Sequence, residues 1–173
     1  MSRKRRKGIK QSEDQITRRR LQSLKTLYFN RFLVVRYAIA SCFFGNAFLT
    51  YLGWGSWISY ISLALLLASI YPAWELGSIF GKSKVKYQMS KLYCQLQWVF
   101  NFGLLIMIWT LPMAQVMPFL SDTPLARTVA TALVGIGLIL LSVSNVRFKK
   151  IDTKTDRVYQ QIQFYEQKFG LHI

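Results

Sequence analysis

Four long apolar stretches constrain what this 173-residue chain can fold into more than any other feature. They occupy residues 32–52, 57–74, 98–120 and 126–146. A membrane-spanning helix needs about 17–25 mostly apolar residues, and each stretch has that length. Because helices satisfy their own backbone hydrogen bonds in lipid, the sequence predicts an all-α, polytopic membrane protein with a four-transmembrane-helix bundle.

Pro112 interrupts the third apolar stretch. Proline removes a backbone donor, so we expect a kink in this helix. A shorter stretch of about ten to fourteen residues would instead indicate a re-entrant or buried segment. We favour a full crossing over residues 98–120, because it makes the number of crossings even.

The distribution of positive charge predicts the orientation of the chain. The net charge is +16, and lysines and arginines concentrate before the first stretch, between the second and third, and after the fourth. On the opposite side, the charged residues are Asp122 and Arg127. Positively charged flanks stay in the cytoplasm. We therefore expect both termini and the middle loop to be inside. A bacterial cytoplasmic membrane is the location we favour, and a eukaryotic internal membrane is the alternative.

Residues 1–31 precede the bundle and form a basic cytoplasmic region. The first residues are too highly charged to fold alone. The segment Ser12-Glu-Asp-Gln then matches a capping box, which predicts that a helix begins there. We expect this helix to run without interruption into the first crossing.

Residues 148–173 follow the bundle, which comprises residues 32–147, and are predicted to form a cytoplasmic amphipathic helix. Their apolar residues recur at alternating spacings of four and three, as in a heptad pattern. This helix is too short to be stable alone, so it must pack on the N-terminal helix, a second copy, the membrane surface or another protein. The predicted partner stripe consists of Ile151, Val158, Ile162, Tyr165 and Phe169.

Basic side chains near the N-terminus form a candidate contact surface for lipid or another polyanion. Adhesion to anionic headgroups is the reading we favour. RNA or the ribosome would also attract such charge, but no aromatic-rich recognition module accompanies it. An acidic protein partner is the third alternative. The residues concerned are Arg3, Lys4, Arg5, Arg6, Lys7, Arg18, Arg19 and Arg20.

Polar residues within the apolar stretches predict an intramembrane layer near the cytoplasmic side. Its members are Arg36, Glu75, Asn101 and Asn145, and Arg36 and Glu75 lie at similar depths, where they could form an ion pair. Helix association and snorkelling explain such residues most simply. The functional alternative is an inward-facing groove or an ion path. Towards the outer side, Asn46 and Gln115 are expected to share a hydrogen bond.

The titratable residues of the chain argue against catalysis. Seven acids and one histidine form no catalytic, cofactor-binding or metal-binding motif, so we expect neither an enzyme nor a cofactor.

The predicted function is that of a non-enzymatic membrane accessory or scaffold protein. It would act through its basic cytoplasmic face and C-terminal helix, with a protein partner or as a homo-oligomer. A small oligomeric transporter or channel is the first alternative.

An insertase-like membrane biogenesis factor is the second alternative. YidC-type insertases are similar in having a lone membrane arginine in an inward-facing groove and a basic tail. Here the resemblance is confined to Arg36 and the basic ends. The short loop of residues 77–93 has no counterpart of the cytoplasmic helical hairpin of that family.

Overall fold

The computed structural model describes the backbone of residues 3–78 and 87–169. It describes the side chains of residues 15–78 and 87–168, with the exception of Glu166. This part of the chain contains helices and turns but no strand, which confirms the all-α prediction. The helices are α1 (Arg3–Asn30), α2 (Leu33–Leu52), α3 (Trp57–Gly77), α4 (Gln88–Thr110), α5 (Met113–Val116), α6 (Pro124–Asp152) and α7 (Arg157–Phe169).

Four of these helices, α2, α3, α4 and α6, are long and apolar enough to cross a membrane. The chain is therefore an integral membrane protein by helix length and composition. Helix α2 packs against α3 and α6, and α4 packs against the same two helices. Contacts between their ends bring together the start of α2, the end of α3, the start of α4 and the end of α6. We call this the basic end of the molecule.

A tight turn at residues 53–56 joins α2 to α3 at the opposite end. Gly55 has a φ of 89°, a left-handed conformation that glycine adopts without steric cost. Ser56 then caps α3, because its hydroxyl accepts a hydrogen bond from the Ser59 amide at 3.3 Å. The sharp reversal makes α2 and α3 neighbours along their whole length.

The third crossing does not have the predicted bounds. Helix α4 begins at Gln88, ten residues before the predicted start, and Pro112 lies after its end. Proline disfavours a helical conformation in the preceding residue, and Leu111 is extended, with φ −113° and ψ 157°. Pro112 thus ends the helix, and the prediction of a kinked helix over residues 98–120 was wrong. The single turn α5 follows, with Met113 and Val116 buried.

The N-terminal helix also differs from the prediction. Helix α1 begins at Arg3 and passes Ser12 without interruption, so the predicted start at the capping box was wrong. Lysine, arginine, glutamate and glutamine all have high helix propensity, which lets the helix extend through this polar sequence. A turn at residues 31–32 separates α1 from α2, and the predicted continuous helix into the first crossing was therefore also wrong.

At the other terminus, α6 continues through Asp152, and a turn at residues 153–156 precedes α7. The C-terminal helix therefore begins at Arg157 instead of residue 148. Ile151, assigned to the partner stripe, is on α6 and is buried beside Phe148 in the core of the crossing helices. The predicted stripe is interrupted because Lys154 adopts a φ of 56°, which ends the right-handed helix.

The remaining described part of the stripe packs on α1. Ile162 is fully buried in a small cluster with Leu24 and Tyr28, and Val158 and Tyr165 contact its edge. Of the packing partners considered for this helix, the N-terminal helix is the one present in the structure. The side chain of Phe169 lies outside the described residues.

Candidate functional site

The basic end is organised by an ion pair that joins three helices. Arg31, just after α1, donates from Nε and Nη2 to the carboxylate of Asp156 at 2.8 and 3.0 Å. Nη2 also donates to the carbonyl of Ile151 at 3.2 Å. The two side chains are 11% and 3% exposed. Such a bidentate, largely buried pair fixes the α6–α7 turn against the end of α1.

Asp152, at the end of α6, is bound by the start of α4. Lys91 donates to its carboxylate at 2.7 Å and Tyr87 at 2.6 Å. Burial raises the pKa of Tyr87 to about 12, and the hydrogen bond to Asp152 acts in the same direction. The phenol therefore remains a donor at physiological pH. This contact closes α4 onto α6.

Arg36 and Glu75 do not form the predicted ion pair. Arg36 donates from Nη2 to the carbonyl of Leu76 at 2.6 Å, and its guanidinium carbon lies 3.5 Å from the centre of the Phe29 ring. Its Nε and Nη1 atoms are buried and have no hydrogen-bond partner among the described residues.

Glu75 instead binds the first turn of α4. Its carboxylate accepts hydrogen bonds from the amide and hydroxyl of Ser90 at 2.9 and 2.5 Å. Helix ends leave carbonyls and amides unsatisfied, and the helix dipole favours a cation at a C-terminus and an anion at an N-terminus. The carbonyl of Leu76 at the end of α3 therefore binds Arg36, and Ser90 in the first turn of α4 binds Glu75, in place of the predicted ion pair.

The intramembrane amides also have partners that differ from the prediction. Asn46 donates to the side-chain oxygen of Gln97 at 3.0 Å, and Gln97 donates back to Asn46 at 3.3 Å. The predicted bond from Asn46 to Gln115 is wrong, since Gln115 is exposed near the opposite end. The shift of α4 towards the basic end explains this error, because it puts Gln97 at the depth of Asn46.

The other two amides of the predicted polar layer have separate environments. Asn101 accepts a hydrogen bond from Gln97 at 3.2 Å, one helical turn along α4. A Cβ atom at Gly137 would lie 2.9 Å from the Asn101 side chain, so this glycine lets α6 approach the amide. The side-chain oxygen of Asn145 is buried and finds no hydrogen-bond partner in the part of the chain that the structure describes. The structure thus links Asn101 to Asn46 through Gln97 and gives Arg36 and Glu75 different partners.

A polar groove runs between α1 and α7 beyond the basic end. Arg18 and Arg19 are exposed on α1, and Arg19 lines the groove. Hydroxyl and amide groups of both helices also line the groove. These groups and the Arg19 guanidinium can donate hydrogen bonds to an acidic surface. The other lining residues are Gln22, Ser23, Thr26, Leu27, Gln161 and Tyr165.

Of the contact surface predicted near the N-terminus, the described side chains are those of Arg18, Arg19 and Arg20. The side chains of Arg3, Lys4, Arg5, Arg6 and Lys7 lie outside the described residues, although the backbone there is helical. Arg20 has an interaction of its own and is not a free charge.

Sequence reasoning missed Asp152 and Asp156. Both carboxylates organise the basic end, yet neither was selected as a candidate. The available signal was their position, as two acids in the strongly cationic segment that follows the last apolar stretch. An acidic residue flanked by several cationic residues is expected to have a specific partner, but the sequence does not indicate which residue that is.

The chain was compared with protein families, curated proteins and solved structures. No family model, curated protein or solved structure matches the chain. Within the described residues, no three histidine, cysteine, aspartate or glutamate side chains are grouped so that they could hold a metal ion. The function therefore has to be inferred from the basic end itself.

Proposed function

We propose that the protein is a non-enzymatic accessory protein of a bacterial cytoplasmic membrane. Its four crossing helices form a bundle with both termini in the cytoplasm, and they support the α1–α7 pair as a cationic docking platform for an acidic protein partner. The observation that carries this proposal is the burial of Ile162 against Leu24, which holds the two cytoplasmic helices together.

Because α7 packs on α1, the apolar stripe predicted to bind a partner is not the surface that a partner would contact. The apolar stripe of α7 faces α1, so the partner would meet the outer, polar faces of the pair. Arg31 and Asp156 connect this pair to the bundle through a largely buried ion pair. The platform is thereby held in one position relative to the membrane, which reduces the entropy lost on binding.

The composition of the platform favours a protein over the membrane surface as its occupant. A helix that lies in the lipid interface needs a continuous exposed apolar face. In the described part of the pair, the large exposed apolar residues are Ile16 and Phe164, one on each helix. The groove residues between the helices are mostly polar, and Arg18 and Arg19 add positive charge. An acidic protein surface is complementary to this arrangement.

The pairing of the intramembrane amides bears on the transporter alternative. The reciprocal hydrogen bonds between Asn46 on α2 and Gln97 on α4 join two helices, and Gln97 also donates to Asn101 on its own helix. This pairing favours helix association over solute passage. The contacts of Arg36 with Leu76 and Phe29 similarly favour an anchoring role over an insertase-like groove.

Site-specific crosslinking tests the docking platform. A photoreactive amino acid replaces Ser23 in the full chain in its native membrane, and crosslinked proteins are identified by mass spectrometry. We expect one stoichiometric partner whose crosslinked surface is acidic, and we expect the double variant R18Q/R19Q to lose at least about 80% of the product, because two surface charge contacts disappear.

The matched control is K149Q/K150Q, which removes the same charge from the end of α6. This variant should retain the crosslink at the wild-type level. A crosslink of equal intensity in R18Q/R19Q, or no discrete crosslinked protein, would contradict the proposed function.

A further inference from the structure

The end of α6 and the start of α7 carry a cluster of exposed cations. Five positively charged residues occur within residues 147–157, and all five are exposed. We call this cluster the juxtamembrane patch. Its members are Arg147, Lys149, Lys150, Lys154 and Arg157.

We propose that the juxtamembrane patch binds the headgroups of anionic phospholipids in the adjoining leaflet. This inference rests on the proposed function only for the side of the membrane, since the residues differ from those of the α1–α7 platform. Three observations support it. The aspartates near the patch are bound by residues of other helices, the patch lies directly after the lipid-facing part of α6, and Lys154 has a left-handed backbone conformation.

The acids within the patch are neutralised by residues from elsewhere. Asp152 is bound by Lys91 and Tyr87 at the start of α4. Asp156 is bound by Arg31 at the end of α1. By spacing alone, Asp152 could have paired with Lys149 one turn away. Because tertiary contacts take both carboxylates, the positive charge of the patch is left without an acidic partner inside its own segment.

The patch lies where the membrane-spanning helix leaves the apolar layer. Val143 and Val146 are exposed on α6 immediately before it, as lipid-facing residues would be. Phe148 and Ile151 are buried in the core, so they turn the intervening cations outward. Basic clusters directly beside a transmembrane helix attract anionic headgroups, with about a fivefold gain in affinity for each cation near the surface. This continuity with the lipid-facing surface identifies lipid as the occupant.

Lys154 adds an independent observation. It has a φ of 56°, a left-handed conformation that glycine adopts at lower cost than lysine. The amide of Lys154 donates to Ile151 O at 3.2 Å, which helps close the end of α6. Lys154 therefore places an exposed cation at a position that glycine would occupy at lower cost, and its ammonium group lies 5.9 Å from the centre of the Tyr159 ring.

Native mass spectrometry of the full-length protein in a mild neutral detergent tests the site. Phosphatidylglycerol, which is anionic, and phosphatidylcholine, which is zwitterionic, are added separately, and the bound lipid is counted. We expect the wild-type protein to prefer phosphatidylglycerol. The variant K149Q/K150Q should bind it at least about tenfold more weakly, since two headgroup contacts are removed.

Two further variants separate the site from general charge and from folding. K154G should weaken phosphatidylglycerol binding about fivefold while thermal stability stays the same or rises, because glycine relieves the backbone at this position. R18Q/R19Q, with the same charge change on α1, should bind the lipid as the wild type does.

Unchanged phosphatidylglycerol binding in K149Q/K150Q would overturn the proposal. An equal loss in R18Q/R19Q would also overturn it, because the effect would then come from net charge and not from the patch. The crosslink at Ser23 is measured independently of lipid binding. Failure of the lipid site and failure of the docking platform can therefore be told apart.

Discussion

Individual charged side chains at the basic end differ sharply in what they contribute. Asp156 is buried and binds a guanidinium through two hydrogen bonds, whereas Asp152 lies in an exposed pair with Lys91 whose side chains are 37% and 38% exposed. Exposed ion pairs contribute little because water screens them and their side chains lose entropy. Removing one member of a buried pair is costly, because the other charge is left uncompensated.

We therefore predict different costs for the two aspartates. Asp156→Ala should lower the free energy of unfolding by about 3 kcal/mol, since Arg31 would remain largely buried without its counterion. Asp152→Ala, the matched control, should lower it by about 1 kcal/mol. Unfolding with SDS in mixed micelles, followed by tryptophan fluorescence, measures both values. Equal losses in the two variants would contradict the assignment of Asp156 as the residue that anchors the α6–α7 turn.

The limits of the helices depend on local and on distant interactions to different degrees. The end of α4 is local, because Pro112 excludes a helical conformation at Leu111. The end of α6 is less visible in the sequence, since it is a lysine and not a glycine that adopts the left-handed conformation. Helix α7, with 13 residues, is shorter than isolated helices need to be, so its stability depends on contact with α1.

The docking of α7 leads to a second prediction. Ile162→Ala should weaken the contact between α7 and α1 by about 3 kcal/mol, because a fully buried side chain loses its packing. Amide hydrogen exchange in α7 should then accelerate about a hundredfold, as measured by mass spectrometry. Phe164→Ala on the same helix is the control, since Phe164 is 58% exposed, and its exchange rates should change little. Similar rates in both variants would contradict the packing of α7 on α1.

At the scale of the whole molecule, positive charge is concentrated at one end of the assembly of crossing helices. Arg31, Arg36 and Lys91 bind groups at the basic end, and the juxtamembrane patch lies beside them. At the opposite end, Arg127 pairs with Asp122 at 2.8 Å, which leaves that end nearly neutral. Positively charged flanks are retained in the cytoplasm during insertion. The asymmetry is the reason for proposing that both termini are inside.

Cysteine labelling tests this orientation. In a background where Cys42 and Cys94 are replaced by alanine, single cysteines are introduced at Ser23, Ser121 and Thr153, which are all exposed. A membrane-impermeant maleimide applied to intact cells should label Ser121→Cys. Ser23→Cys and Thr153→Cys should react only after permeabilisation, because the basic flanks stay inside. Labelling of Thr153→Cys in intact cells would contradict the proposed orientation.

The amino-acid sequence by itself determined the number of crossing helices and the approximate position of three of them. In lipid, a backbone must form its own hydrogen bonds over about 20 apolar residues, and this requirement depends on no distant partner. The third crossing, at Gln88–Thr110, was misplaced, because the apolar run that predicts it begins only at Trp98 and continues past Pro112. Gln97 is buried in a reciprocal pair with Asn46.

Only the tertiary structure decided how the polar groups are partnered. Arg36 and Glu75 lie at similar depths, but the end of α3 and the start of α4 offer each of them a backbone partner. Asp152 and Asp156 bind residues 61 and 125 positions away in the chain. Which helix ends meet depends on the packing of all the crossing helices together, and a periodic pattern within one segment contains no information about that choice.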